Sequence, residues 1–308
     1  VAGFLDADGC VGLSPLSDKR PRLYTTFSQR ADRDEVLHMI HEQFGGVFVN
    51  RVVGDGKYTD LTLSASATLM MLNRVAQHLV IKRAYVHRLL ELREMTTQPD
   101  ELRKQIKEAR TLRSLPIPNF PSRKWLAGYF DGDGCLSVQQ VADLGQATIV
   151  AYVACAAYDT EGIDTICKNF GGRIYDMCAG RCRQWKLILN PSKAKQFLGY
   201  FAKYSIIKKA QADFVLGCAQ MGHFRDGRSI KAALKQLKAS EHRLSESGNV
   251  VKQLLLLVQD KERKWTKDGK DAVCVSCGSN RFRHVGHGLC NSCYQKRGRG
   301  TLQATVGA

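Results

Sequence analysis

The chain has 308 residues, 44% of them hydrophobic, which allows more than one domain and a substantial core, while no uninterrupted apolar run approaches the length of a membrane span. Its 46 Lys and Arg against 29 Asp and Glu give a formal charge of +17. That excess points to a polyanionic partner, nucleic acid first; no basic amphipathic helix is flanked by apolar anchors, so no membrane partner is expected. Among the eleven cysteines, Cys10, Cys135, Cys155, Cys167 and Cys218 sit in apolar or strand-like contexts and read as buried thiols. Cys178 and Cys182 flank a hairpin turn at Ala179-Gly180, where free thiols are expected over pairing or metal binding. Nothing resembles a secreted disulfide framework, which favours a reducing, intracellular compartment such as mitochondrion, plastid or nucleus. Val1 already lies inside a motif, so the true N-terminus, with any targeting peptide, is expected upstream.

In chain order, the first element is the stretch Val-Ala-Gly-Phe-Leu-Asp-Ala-Asp-Gly at 1–9, an apolar, small-residue helical turn ending in Asp-x-Asp-Gly. It returns 125 residues later as Leu-Ala-Gly-Tyr-Phe-Asp-Gly-Asp-Gly at 126–134. Small residues let two helices approach closely, which would bring Asp8 and Asp133 together at their ends. After the first copy, residues 10–14 and 23–28 alternate as a hairpin. A helix is expected over 32–44, stopped by Gly45-Gly46. A second hairpin spans 47–53 and 58–63 around Gly54-Asp-Gly56, and Ser64 or Ser66 then caps a helix to about 79. A basic helix follows from Lys82 to about 95. Offset 126 repeats this series: the Phe-Gly-Gly of 44–46 returns at 170–172, and the Ile-Lys of 81–82 at 207–208. Ser192 falls in the capping region of the matching helix. A unit of about a hundred residues is therefore duplicated.

The expected organisation is a first repeat over 1–95, a linker over 96–120, a second repeat over 121–222, a basic helical extension over 223–268 and a small metal module over 269–300. The linker carries a charged helix at 100–113 and then Pro116, Pro118 and Pro121. The extension reads as helices over 230–244 and 250–265.

Two aspartates at the foot of packed helices repel unless neutralised, and a hard divalent cation such as Mg²⁺ does so while leaving room for water and phosphate oxygens. These residues resemble the LAGLIDADG motif of the homing endonucleases, in the monomeric form with both motifs on one chain. The resemblance covers residues 1 to about 220 and includes the element order. It implies an α+β fold of two pseudo-symmetric αββαββα repeats, each offering a curved antiparallel sheet to the DNA major groove. It also implies site-specific hydrolysis of double-stranded DNA by a monomer that is an internal pseudo-dimer. Asp8 and Asp133 would bind Mg²⁺, with Ala7 and Gly132 in the same metal set, and Lys82 and Lys208 would polarise the attacked phosphate. Gln29 and Arg33 fit the polar residues that some members place around the site. In the second repeat Cys155 and Asp159 stand there instead, so the half-sites are expected to be unequal.

On the strands, Arg22, Tyr24, Lys57, Arg173, Arg183 and Lys186 are the candidate DNA contacts. Near the C-terminus, Cys274-Val-Ser-Cys277 precedes Cys290-Asn-Ser-Cys293. Paired Cys-x₂-Cys units suit one tetrahedral structural Zn²⁺, and the pair at Cys290 and Cys293 resembles the knuckle of a treble-clef finger. Arg281, Arg283 and Arg297 around it would touch phosphate. The competing reading is a catalytically lost scaffold binding structured RNA, as a splicing factor or as a component of a ribonucleoprotein such as an organellar ribosome.

Overall fold

In the computed structural model the duplicated pattern becomes two copies of one helix-and-sheet unit. The structure describes residues 1–14, 21–95, 98–112, 122–140, 147–156, 159–221, 227–239 and 248–258, and the backbone of 284–286 and 289–290. The first copy runs α1 (Ala2–Asp8), β1 (Gly9–Ser14), β2 (Arg22–Arg30), α2 (Glu35–Phe44), β3 (Val47–Val53), β4 (Gly56–Leu63), α3 (Ala65–Val75) and α4 (Arg83–Glu94). After a linker helix α5 (Pro99–Ala109), the second copy runs α6 (Arg123–Asp133), β5 (Gly134–Gln140), β6 (Ala147–Ala156), α7 (Glu161–Phe170), β7 (Arg173–Met177), β8 (Cys182–Leu189), α8 (Pro191–Phe201) and α9 (Lys209–Met221). Then comes α10 (Gly227–Ala239). The sheets have matching antiparallel orders, β1-β2-β4-β3 and β5-β6-β8-β7. This is the expected α+β architecture of two repeats.

Period-two alternation decides which sheet face each side chain takes. In the first sheet Leu23, Phe27, Leu61 and Leu63 are buried on the helix-packed face. In the second Ile149, Val153, Trp185 and Leu187 are buried in the same way. Helices α2 and α7 each end at Gly–Gly pairs with positive φ, at Gly45 (72°), Gly46 (117°), Gly171 (74°) and Gly172 (98°), a backbone region glycine enters without steric cost. Ser64 Oγ caps α3 by accepting from Ala67 N.

Several expectations shift. Asn190, not Ser192, caps α8, its Oδ1 accepting from Lys193 N at 2.8 Å; Pro191 at the first helical position fixes the helix start one residue later. Helix α2 begins at Glu35 rather than 32, because Arg33 N closes a turn onto Arg30 O first. The linker helix ends at Ala109 rather than 113. Cys10 is exposed, since its strand presents one face outward, and Cys135, Cys155 and Cys167 are half-buried; Cys218 alone of those five is buried. Cys178 and Cys182 are free thiols, and the turn between β7 and β8 holds Cys178 and Ala179 at positive φ (53° and 54°).

The chain divides into two compact units, Val1–Leu254 and Leu255–Ala308. Both repeats and α10 belong to the first. Of the second extension helix expected over 250–265, the described residues show helix over 248–258, and 259–265 lie outside them. In the second unit β9 (His284–Gly286) pairs antiparallel with β10 (Leu289–Cys290). Cys274, Cys277, Cys293 and the side chain of Cys290 lie outside the described residues, as do Arg281, Arg283 and Arg297. Among the described residues no helix is long and apolar enough to cross a membrane.

Candidate active site

The site is built on the contact between α1 and α6. Three glycines bring the two main chains together. A Cβ on Gly3 would lie 1.8 Å from Trp125 O, one on Gly128 2.8 Å from Phe4 N, and one on Gly132 2.4 Å from Ala7 Cβ and 3.1 Å from Asp8 Oδ2. Real Cβ atoms do not come so near, so only glycine permits this approach. Asp8 and Asp133 end the two helices, and each stands in the electrostatic field of the other's half.

Burial raises the Asp8 pKa; Lys208, a hydrogen bond from Gln29 and Lys82 oppose the shift. For Asp133 burial and the Asp8 carboxylate push the value up to about 7, against Lys82 and Lys208, with Asp159 adding a further upward push. Two buried acids whose pKa values are both raised, Asp133 in part by the Asp8 carboxylate, form a place for a cation. Among the described residues no cluster of three or more His, Cys, Asp or Glu could hold a metal ion. A pair of carboxylates fits Mg²⁺ nonetheless, since that ion keeps waters and phosphate oxygens in its remaining positions.

The shells around the two acids differ. Gln29 Nε2 donates to Asp8 Oδ2 at 2.5 Å. Its counterpart Cys155 has a thiol raised to about 12 by burial, then by Asp133 and Asp159; a neutral thiol offers Asp133 only a weak donor. Arg33 is held by a partner outside the two motifs. Its guanidinium donates to Lys238 O at the end of α10, a partner far away in sequence that no local pattern signals.

The lysines meet the helix ends rather than open solvent. Lys82 Nζ donates to Leu5 O at 2.7 Å, Asp6 O at 2.8 Å and Gly9 O at 2.8 Å, which uses all three ammonium hydrogens. Lys208 Nζ donates to Asp131 O and, at 3.1 Å, to Gly132 O. Each ammonium thus stands at the negative end of a helix. Burial lowers both lysine pKa values and the nearby aspartates raise them. Ala7 O lies 3.5 Å from Lys82 Nζ; Ala7 and Gly132, expected in the metal set, therefore share their carbonyls with the lysines.

Two residues essential to this geometry are not signalled by the sequence, the first acids of each Asp-x-Asp. Asp6 is 4% exposed and Asp131 3%. Asp6 accepts from Val80 N at 2.7 Å, Lys82 N at 2.8 Å and Trp125 Nε1 at 2.8 Å. Asp131 accepts from Ser205 Oγ, Ile206 N at 2.7 Å and Lys208 N at 3.0 Å. Each carboxylate holds the backbone entering a late helix, while the lysine there returns to cap the motif helix. This reciprocal lock positions Asp8 and Asp133. The one hint in the chain is recurrence, since the first acid repeats at the same offset of 125 as the second.

Of the six strand residues, Arg22 and Tyr24 alternate with buried Leu23, and Arg173 pairs with Lys186 across β7 and β8. These four therefore share the faces turned away from the helices. Lys57 and Arg183 fall in register with Thr59 and Trp185, on the helix-packed side; Arg183 Nε bonds Asp176 Oδ1 at 2.9 Å.

Residues 126–221 match the protein-family model described as LAGLIDADG endonuclease. No curated protein sequence matches the chain. Among solved structures, the chain is similar to the meganuclease I-SmaMI bound to uncleavable DNA, at 17% identity and a TM-score of 0.57, covering 77% of this chain and 95% of that one. It is similar to the LAGLIDADG meganuclease I-AabMI bound to uncleaved DNA, at 17% identity and a TM-score of 0.55, over 77% and 96% of the two chains. For the LAGLIDADG homing endonuclease I-GzeII in complex with its DNA target the values are 16% and 0.51, over 82% and 95%. I-SmaMI has also been solved on uncleaved DNA in the presence of calcium ions, with 16% identity, a TM-score of 0.53 and coverage of 82% and 96%. At such identities the likeness establishes the two-repeat LAGLIDADG fold.

Proposed function

We propose that the chain is a site-specific, divalent-metal-dependent endonuclease of double-stranded DNA. The observation that carries this reading is the meeting of Asp8 and Asp133 at the foot of α1 and α6, between two sheets whose outer faces present Arg22, Tyr24, Arg173 and Lys186. The family match over the second repeat and the DNA-bound relatives of the same fold support it.

When bound, a divalent cation would supply an activated water and stabilise the leaving oxygen of an in-line displacement. Asp8 and Asp133 would hold it. Gln29 fixes the Asp8 carboxylate. Lys208 lends positive charge to the Asp8 side and Lys82 to the Asp133 side, and Lys82, with its hydrogens already donated, acts by field rather than by a direct bond. Asp6 and Asp131 keep the two lysines in place. The test is Mg²⁺-dependent cleavage of a duplex library by the full chain. Asp8→Asn and Asp133→Asn should each reduce cleavage by roughly a thousandfold, equivalent to about 4 kcal/mol of lost charge stabilisation, with binding retained. Undiminished cleavage by both variants would overturn the assignment.

A second reading, an RNA-binding scaffold without cleavage, is favoured by one observation: Cys155 and Asp159 leave Asp133 without the amide that Asp8 has. Co-purified structured RNA, together with no cleavage of any duplex in Mg²⁺, would decide for it. The zinc module rests on the spacing of Cys274, Cys277, Cys290 and Cys293. One zinc per full chain by elemental analysis, lost in Cys290→Ser, would support it.

A further inference from the structure

The two sheets are not equally open. Helix α10 packs on β5 and β6. The helix-packed face of those strands is already taken by α6 and α7, which leaves the outer face for α10. Two observations place it there. Lys238 Nζ lies 3.2 Å from Cys135 Sγ, and Cys135 pairs with Tyr152 on the outer face. Val150, which alternates with the core residues Ile149 and Ala151 and so points outward, is only 1% exposed. Its cross-strand neighbour Ile188 on β8 is 62% exposed, so the cover stops at β6.

The residues beneath α10 suit a helix, not a groove. Outward positions on β6 are Thr148, Val150, Tyr152 and Ala154, without a charge; the matching positions on β2 are Arg22, Tyr24, Thr26 and Ser28, followed by Arg30. Helix α10 answers with an apolar side of Ile230, Ala233, Leu234 and Leu237, all buried. Its other side carries Arg228, Lys231 and Lys235, all exposed, at helical spacing, and it holds no acidic residue. At its C-terminal end Arg33 of the first half binds Lys238 O, anchoring it across the two repeats.

We infer that α10 takes the place of β5–β6 as a nucleic-acid contact of the second half, its stripe at Lys231 and Lys235 meeting the phosphates of duplex DNA. Base reading in that half is then left to β7–β8, while the first half reads with its whole sheet. Lysines on a helix bind phosphate by charge and carry no base preference, so the recognised sequence is lopsided. The inference rests on the proposal that the chain binds duplex DNA.

The test uses the full chain and its Lys231→Ala/Lys235→Ala variant; both positions are exposed and alanine preserves helix propensity. Affinity for a random duplex pool is measured against salt, and the bound sequences are selected and read. Loss of two phosphate contacts should weaken binding by about 10-fold at physiological salt and make the slope of log K against log salt shallower by about two. The selected wild-type sites should show fewer fixed positions on one side of the centre than on the other. Unchanged affinity and slope in the variant, or equally informative halves, would overturn the inference while leaving DNA binding intact. Tighter binding by the variant would also overturn it, making α10 a cover that DNA must displace. A wild-type chain that binds no duplex would overturn the proposed function itself.

Discussion

At Asp8 the neighbouring strand supplies an amide; at Asp133 the matching position supplies the Cys155 thiol, and the following loop supplies a further acid, Asp159. Both acids end helices built on the same motif, with lysines, locks and glycines in register. The difference lies wholly in what surrounds them. Asp8 is oriented by Gln29 at 2.5 Å, while Asp133 faces Asp8 and Asp159 and holds its proton to about pH 7. The same contrast recurs on the sheets, where the first outer face is polar and the second is partly sealed by α10. Duplication thus preserves what the backbone of the helix pair demands and releases what only the local chemistry of one half uses.

The strongest way to break this comparison is to remove the shared part. Asp6→Ala and Asp131→Ala each strand buried donors, three at Asp6 and three at Asp131, and should each lower stability by about 3–5 kcal/mol in urea unfolding. A loss under 1 kcal/mol in either half would show that the locks are not equivalent.

Next in size is the pH response of Asp133. Its folded pKa, about 7, lies above that of an unfolded carboxylate, so the native state binds the proton more tightly. Stability from this group is complete at the acid side of the unfolded value and declines between about pH 4 and pH 7. In EDTA, Asp133→Asn should therefore flatten that decline and stabilise the protein above pH 7 by about 2 kcal/mol, a figure reduced for partial solvent screening. Saturating Mg²⁺ should narrow or reverse the difference, because the cation favours the ionised form. Thermal melts across pH 4–8 with and without Mg²⁺ would read both.

A smaller effect should follow from restoring the amide. Cys155→Gln gives Asp133 the partner that Asp8 possesses. On a nicked-versus-linear plasmid assay it should speed cutting of the slower strand by about fivefold, near 1 kcal/mol. No change would place the inequality in Asp159 rather than in the thiol. Smallest of all, Ser64→Ala and Asn190→Ala remove matching helix caps and should each cost about 1 kcal/mol. Unequal losses would show that Pro191 already fixes the start of α8.

Much of the frame is legible in the chain because periodicity and turn residues repeat. The hairpins, the Gly-Gly helix stops and the offset of the two motifs appear in the structure close to where alternation and spacing put them. What escapes depends on neighbours remote in sequence. Asp6 and Asp131 read as part of a helix end until Val80, Lys82, Ser205 and Ile206 arrive beside them. The partner of Arg33, Lys238 O, lies in another element and is invisible in the local sequence. Cys10 reads as core because a strand residue between apolar neighbours can belong to either face, and only the sheet decides. Lys57 and Arg183 take the other phase of their strands for the same reason, a one-residue alternation that no single strand reveals. The amphipathic pattern of α10 is readable; the uncharged strip beneath it is readable too, but nothing in the chain order joins them.

The glycine-lined contact of α1 with α6 has a consequence for how such a molecule can diversify. Gly3, Gly128 and Gly132 let main chain touch main chain, with no side chain left to swell or shrink. The separation of Asp8 and Asp133 is therefore a calliper set in the backbone. Outward-facing strand residues can be exchanged on either sheet without opening or closing it. A substitution to alanine at Gly3, by contrast, must push the whole second half outward. What the outer sheet faces present can drift, while the gauge between the two acids stays fixed.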